Sequence, residues 1–184
     1  MPGDQDVMRP IHHVGYWVDD LDAGMAQFSS LLGIGPFQAM DHVVFAQFAM
    51  PGRDDPIVFD HGAAFAAWGP IVLELNAVHE IDAGLAELLQ PVPGAVSHVS
   101  WLAPDLDAEV ARLAEHGCTL INTAQTGPVS VAWVTGGRLL PHPIEVHLDT
   151  EFMRGMHGRL VALADGWDRA DGTGLRRPMG PPPA

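Results

Sequence analysis

Apolar residues predict the same order of structural elements twice along this chain. One apolar run covers residues 14–18 and another covers 99–103. Both are short and contain β-branched or aromatic residues, which is typical of buried strands. An aspartate follows each run, Asp20 in the first copy and Asp105 in the second, at the place where a carboxylate caps a helix N-terminus. Each copy therefore begins with a strand followed by a capped helix.

The predicted helices each carry one apolar stripe, and a glycine follows each of them. The stripes consist of Leu21, Met25, Phe28 and Leu32 in the first copy and of Leu106, Val110 and Leu113 in the second. Gly33 and Gly117 then supply the left-handed backbone with which helices commonly end. Further strand candidates separated by Gly and Pro cover 43–49, 71–75, 129–134 and 144–148.

Exact spacings show that the two copies are a duplicated unit. His13-Val14 precedes Asp20-Leu21-Asp22-Ala23 by the same interval as His98-Val99 precedes Asp105-Leu106-Asp107-Ala108. Each unit has the order β-α-β-β-β, which predicts an α+β protein. The organisation we expect is an N-terminal segment (1–9), a first module with a linker helix over 79–90 (10–92), a second module (93–150), a C-terminal helix (151–169) and a flexible tail (170–184). That last helix either packs across the module seam or shields a pocket.

The composition of the chain limits the classes of molecule that we expect it to bind. The chain has 184 residues, enough for one sizeable core, and carries 23 acidic against 9 basic side chains, a formal charge of −14. Such a charge repels phosphate backbones and anionic membranes, so neither nucleic acid nor membrane is an expected partner. The acidic start and the lack of a run of about 20 apolar residues favour a cytoplasmic protein. Cys118 is the only cysteine, so a metal would need nitrogen and oxygen ligands.

Four polar residues repeat together with the modules. His13 and His98 occupy equivalent positions of the opening strands, and Glu74 and Glu145 interrupt the apolar closing strands. An unpaired ionised carboxylate in a buried strand would cost several kcal/mol, and a bound cation removes that cost. Singly, each residue is better explained as a core histidine or a solvent-facing glutamate. Their joint repetition instead favours one divalent metal site, for which Zn, Fe, Mn, Co and Ni all remain candidates.

For several neighbouring residues the sequence gives weaker evidence of a functional role. His12 adjoins His13, and strand pleating is expected to turn the two side chains to opposite faces. Strand alternation places Trp17 with His13, Ser100 with His98 and His147 with Glu145. We interpret Asp60, His61 and Trp68 as parts of a solvated loop that precedes the Glu74 strand.

The segments Ile11-His12-His13-Val14-Gly15-Tyr16-Trp17-Val18-Asp19-Asp20-Leu21 and Val96-Ser97-His98-Val99-Ser100-Trp101-Leu102-Ala103-Pro104-Asp105-Leu106 resemble the vicinal oxygen chelate superfamily. The superfamily includes glyoxalase I, methylmalonyl-CoA epimerase, extradiol dioxygenases and bleomycin-resistance proteins. The resemblance covers about residues 10–150 and implies a cup-shaped mixed sheet. It also implies His13, Glu74, His98 and Glu145 as metal ligands, a small-molecule substrate and a homodimer.

A complete two-His, two-Glu set favours a glyoxalase- or epimerase-like lyase or isomerase, which would move a proton next to a substrate carbonyl with Glu145 or Glu74 as base. Residues 43–49 lack the second glutamate base that epimerases of this superfamily use. Two alternatives stay open. One is an Fe(II) ring-cleaving dioxygenase that uses His13, His98 and Glu145, with His61 as acid or base. The other is a non-catalytic protein that binds an apolar molecule against Trp17, Trp68 and Trp101.

Overall fold

A computed structural model describes residues 8–171 and 173–179 of the chain. Its strands are β1 (His13–Trp17), β2 (Phe37–Met40), β3 (Gln47–Ala49), β4 (Phe59–Trp68), β5 (Ile71–Ile81), β6 (Val96–Ala103), β7 (Leu120–Thr126), β8 (Val129–Val134), β9 (Ile144–Leu148) and β10 (Arg176–Pro178). Its helices are α1 (Leu21–Leu32), α2 (Ala83–Leu89), α3 (Leu106–Glu115), α4 (Glu151–Arg154) and α5 (Met156–Ala164), and Arg169–Asp171 form a 3-10 turn.

All ten strands form one large curved sheet in the order β10-β2-β4-β5-β1-β6-β9-β8-β7-β3. The two copies of the repeat meet at its centre, where β1 runs antiparallel to β6. On either side the closing strand of each copy lies parallel to its opening strand, β5 beside β1 and β9 beside β6. The predicted α+β fold with paired βαβββ modules is confirmed.

The residues that the sequence identified as helix caps start and end the helices as predicted. Asp20 accepts a hydrogen bond from the backbone N–H of Ala23 at 2.8 Å, and Asp105 accepts the equivalent bond from Ala108 at 3.0 Å. Gly33 ends α1 with a left-handed φ of 73°. The duplicated motif thus sets the start of both long helices in the same way.

Helices α1 and α3 cover one face of the sheet and leave the other face for the polar residues. Leu73 and Leu75, on either side of Glu74, belong to the buried cluster around Met25 of α1. Ile144 and Val146, on either side of Glu145, pack in a cluster with Leu113 of α3. Because side chains alternate along a strand, both glutamates point to the opposite face.

Strand β4 lies in a region that the sequence led us to interpret partly as a loop. Asp60, His61 and Trp68 belong to this strand, so the loop interpretation is wrong. The stretch contains several alanines and one glycine and no β-branched residue, and such a composition has a low strand propensity. The small residues serve packing instead, since a Cβ at Gly62 would lie 2.6 Å from the side chain of Leu21.

Two further predicted elements are shorter than expected. Only Gln47–Ala49 of the candidate strand 43–49 is extended, and it pairs with β7 of the second module. The linker helix predicted over 79–90 is confined to Ala83–Leu89, because β5 continues to Ile81 and Asp82 caps the helix by accepting from the N–H of Gly84 at 2.9 Å.

The C-terminal region also departs from its prediction. The single expected helix is divided at Gly155 into α4 and α5. Part of the predicted flexible tail forms β10, which pairs with β2. Arg176 anchors this strand by ion pairs to Asp22, at 2.6 Å, and to Asp41. Residues 1–7 and 180–184, which belong to the predicted terminal segments, lie outside the described residues. In the described part of the chain, no helix has the length and apolar character needed to cross a membrane.

The close packing of the central strand pair around Gly15 can be tested by substitution. A Cβ at this position would lie 2.3 Å from Ser97 Oγ and 2.5 Å from Cε1 of His98. We expect Gly15→Ala to displace the His98 ring and to lower the free energy of unfolding by about 1–3 kcal/mol, measured by denaturant titration. Gly158→Ala, in α5 with open space at the Cβ position, is the matched control and should keep or raise stability. Equal stability of wild type and Gly15→Ala would contradict the close β1–β6 approach.

Candidate metal centre

Strand register brings the four repeated polar residues onto one face at the centre of the sheet. Gly15 of β1 lies opposite Glu74 on β5 and opposite His98 on β6. In the neighbouring row, Ser100 of β6 lies opposite His13 on β1 and opposite Glu145 on β9. Gly15 and Ser100 occupy equivalent places in the repeat. Their small size leaves room for the two imidazole rings above the strands.

The donor atoms of these residues lie close together and are buried. His13 Nε2 is 2.7 Å from Glu145 Oε2, 3.1 Å from Glu74 Oε2 and 3.1 Å from His98 Nε2. His98 Nε2 is 3.2 Å from the nearest oxygen of each glutamate. Both histidines are at most 2% exposed, and both glutamates are buried as well. The structure therefore brings together all four residues that the repeat had singled out.

Polar neighbours hold three of the four side chains in place. Trp133 Nε1 donates to Glu145 Oε1 at 2.6 Å, and His147 Nε2 lies 2.9 Å from Glu145 Oε2. Ser97 Oγ lies 3.1 Å from His98 Nδ1. The Nδ1 atoms of His12 and His13 are 2.8 Å apart. Contacts to the outer nitrogen of a ligand histidine fix the orientation of its ring.

Two of these contacts test expectations from the sequence. His12 lies just before β1, and its Nδ1 atom contacts that of His13, so the expectation that the two side chains point to opposite faces is wrong. The predicted shared face of His147 and Glu145 is confirmed by their contact. The contact from Trp133 went unpredicted, because an indole in an apolar strand carries no signal beyond ordinary core packing.

Opposing electrostatic effects act within the cluster. Burial alone would lower the pKa of His13, but hydrogen bonds to Glu145 and Glu74 raise it to about 9. Burial would raise the pKa of Glu74, but the neighbouring His98 and His13 lower it to about 2. The pKa of Glu145 is likewise held well below its usual value, against burial, by His147, His98 and His13. Both carboxylates are therefore ionised at neutral pH.

The donor set fits a divalent transition metal. One nitrogen or oxygen from each of the four residues lies within 4.8 Å of all the others. Imidazole nitrogen and carboxylate oxygen bind such ions at about 2.0–2.2 Å, and ligands of one ion have separations similar to those seen here. Buried Ser100 Oγ and His147 Nδ1, beside the cluster, have no hydrogen-bond partner among the described residues. These residues can hold a metal, and the identity of the ion is not specified by the donor set.

A cavity of about 260 Å³ opens directly onto the cluster, with His13, Glu74 and Glu145 in its wall. Helices α4 and α5 close one side of it through Phe152, Met153 and Met156, so the C-terminal region lies over the pocket.

The tryptophans on which the binding-protein alternative relied lie elsewhere. Trp17 packs with Leu85 and Leu89 of α2, and Trp101 donates to Glu109 at 2.9 Å. Neither these two nor Trp68 belongs to the described lining of the cavity, whereas Trp133 does.

His61 is a buried polar residue in the cavity wall. Its ring stacks on Phe59, with centroids 4.2 Å apart. Its Nδ1 atom is buried and has no hydrogen-bond partner among the described residues. Burial lowers the pKa of His61 to about 4, although nearby Glu74 and Glu145 act in the opposite direction. The ring is therefore neutral at physiological pH.

Comparison with solved structures identifies the same fold in other proteins. A hypothetical protein from Bacillus halodurans has a TM-score of 0.55 at 14% identity, over 79% of this chain and 97% of its own. Streptomyces coelicolor methylmalonyl-CoA epimerase, in complex with 2-nitronate-propionyl-CoA, has a TM-score of 0.50 at 14% identity, with the same coverage of each chain. At such identities the likeness shows the fold alone. No curated protein sequence matches the chain.

A family model gives the more direct assignment. The model described as "Glyoxalase/Bleomycin resistance protein/Dioxygenase superfamily" matches residues 12–133, which is well over half of the chain. The match begins beside His13 and includes the central strand pair and the first closing strand. The chain belongs to this superfamily, the vicinal oxygen chelate proteins.

Proposed function

We propose that the protein is a divalent-metal-dependent enzyme, a lyase or isomerase that moves a proton next to a carbonyl group of a small molecule. The observation that carries this proposal is the convergence of His13, Glu74, His98 and Glu145 in the wall of a cavity. A bound divalent ion would supply Lewis acidity at a substrate oxygen, which stabilises developing negative charge by several kcal/mol.

Differences in hydrogen bonding suggest separate roles for the two glutamates. Glu145 is held through both oxygens, by Trp133 on Oε1 and by His13 and His147 on Oε2. Glu74 makes its contacts to His98 and His13 through Oε2, and no described residue bonds to its Oε1. We therefore assign Glu145 the role of a fixed ligand, and Glu74 the role of a ligand through Oε2 that also accepts the proton. Glu74 is ionised at neutral pH, so its carboxylate can act as the acceptor for a proton from a C–H group acidified by the metal.

His61 supports a second candidate function. Ring-cleaving dioxygenation would need only His13, His98 and Glu145 as iron ligands, and a neutral histidine in the cavity would serve as acid or base. His61 is such a histidine. The proton-transfer proposal is favoured because it gives a role to buried Glu74, which would otherwise remain a costly bystander charge.

Metal binding should release a proton at neutral pH. The pKa of His13 is raised to about 9 in the protein alone, so its ring is protonated at pH 7, and an ion that takes Nε2 must displace that proton. We expect apparent affinity for Zn²⁺ to rise about tenfold per pH unit between roughly pH 6.5 and 8.5. Titration calorimetry at pH 7 in two buffers of different ionisation enthalpy should show about one proton released per ion. Binding without proton release would contradict the assignment of His13.

The base assignment predicts a selective loss of proton transfer. Pyruvate and phenylpyruvate carry neighbouring oxygens and C–H bonds next to a carbonyl, so their exchange with D₂O can be followed by proton NMR. We expect metal-loaded protein to accelerate exchange of at least one of them, and Glu74→Gln to reduce this acceleration by about 10²- to 10⁴-fold. Gln still offers an oxygen ligand, so metal content should largely persist.

The matched control for that variant is Glu80→Gln, an exposed glutamate on the same strand, which should exchange like wild type. Full exchange in Glu74→Gln would remove Glu74 as base. Oxygen consumption with catechol by the Fe²⁺-loaded protein would support the dioxygenase instead.

A further inference from the structure

Outside the metal centre, most of the cavity lining is apolar. Aromatic side chains contribute much of it, among them Phe45, Phe48, Phe59 and Phe65. The rings of Phe45 and Phe59 are nearly parallel, at an interplanar angle of 11° with centroids 6.2 Å apart, and His61 continues the stack beside Phe59. These rings add aromatic surface to the cavity wall, against which a ligand ring can pack edge-to-face or offset-stacked.

Positive charge is almost absent from the same lining. The chain has no lysine, and Arg159 is the only arginine in the described wall. Its guanidinium already donates to the carbonyl of Phe152 at 2.9 Å and lies 4.5 Å from the centre of the Phe152 ring. Residues 1–7, 172 and 180–184 contain no lysine or arginine, so these residues could not add a lysine or arginine side chain to the wall. Away from the metal centre, a phosphate group would find one partly engaged cation, in a chain with a net charge of −14.

Size limits the ligand further. The cavity measures about 260 Å³. An apolar cavity of about 150 Å³ holds benzene, and sites for drug-sized ligands begin at about 300 Å³. One aromatic ring and a short polar head group fill the available space.

From these three observations we propose that the site takes compact aromatic substrates that carry no phosphate or nucleotide group. The ring packs against the wall formed by Phe45, Phe59 and His61, and a pair of neighbouring oxygens lies at the Glu74 and Glu145 end. The inference rests on the proposed function for the position of those oxygens. His61 contributes its ring to this wall, where it is stacked on Phe59.

Three ligands with one head group test this proposal. Lactate, 3-phenyllactate and 3-phosphoglycerate share an α-hydroxycarboxylate and differ in carrying a methyl, a benzyl or a phosphate-bearing tail. Titration calorimetry on Zn²⁺-loaded protein should show 3-phenyllactate binding at least about 10-fold more tightly than either of the others, because only its tail buries a ring. Equal affinity for lactate, or tighter binding of 3-phosphoglycerate, overturns the proposal.

Phe45→Ala is the matching variant, since Phe45 is only half-buried and lies between β2 and β3, outside the strands. This variant should bind 3-phenyllactate about 5- to 10-fold more weakly than the wild type and should bind lactate with unchanged affinity. Val44→Ala is the control, because Val44 is 74% exposed and absent from the described lining. Equal losses in both variants overturn the proposed ring position.

A ligand without neighbouring oxygens distinguishes failure of the proposed metal site from failure of the proposed substrate class. Metal content is measured on the same samples, and 1-naphthol is titrated with and without Zn²⁺. Binding of 1-naphthol that Phe45→Ala weakens, in protein that takes up no metal, would sink the proposed function and support the aromatic site. Absence of 1-naphthol and 3-phenyllactate binding to metal-loaded protein would overturn the aromatic site alone.

Discussion

Burial of two ionised carboxylates on one face of a single sheet is the constraint that shapes this protein. Glu74 and Glu145 interrupt strands whose adjacent residues form the core, and each would be strongly disfavoured there without compensation. His13 and His98 supply part of that compensation, with donor atoms 2.7–3.2 Å from the glutamate oxygens. A divalent cation would complete it, so the same charges that cost stability form the basis of the proposed chemistry.

The repeated and the non-repeated segments of the chain contribute differently to the site. The repeated strands β1, β5, β6 and β9 produce the nearly symmetric set of ligands, with small Gly15 and Ser100 between them. The cavity beside them is lined partly by strands of the modules, such as β4 with Phe59 and His61, and partly by segments that have no repeat counterpart, such as α4 and α5 with Met153 and Met156. The repeat therefore supplies the ligand set, and repeated and non-repeated segments together form the cavity wall.

Sequence reasoning was most successful where one residue has one structural effect. The capping aspartates, the apolar stripes and the repeated His and Glu positions each follow from local geometry or from exact spacing, and all are present in the fold. It failed for β4, whose alanines are explained only by their contact with α1, and for β10, which depends on ion pairs of Arg176 with residues more than 130 positions away. The contact of Trp133 with Glu145 depends on the pairing of β8 with β9, and the burial of His61 depends on the pairing of β4 with β5, neither of which a local pattern reveals.

Metal content is the most direct test of the central claim. Inductively coupled plasma mass spectrometry on the purified wild type and on His13→Ala, Glu74→Ala, His98→Ala and Glu145→Ala, each after reconstitution, compares the four ligands directly. We predict near-stoichiometric metal in the wild type and a clear loss in every variant. Retention of metal in Glu74→Ala alone would indicate a three-ligand iron site, and a wild type that takes up no metal would contradict the metal-dependent function.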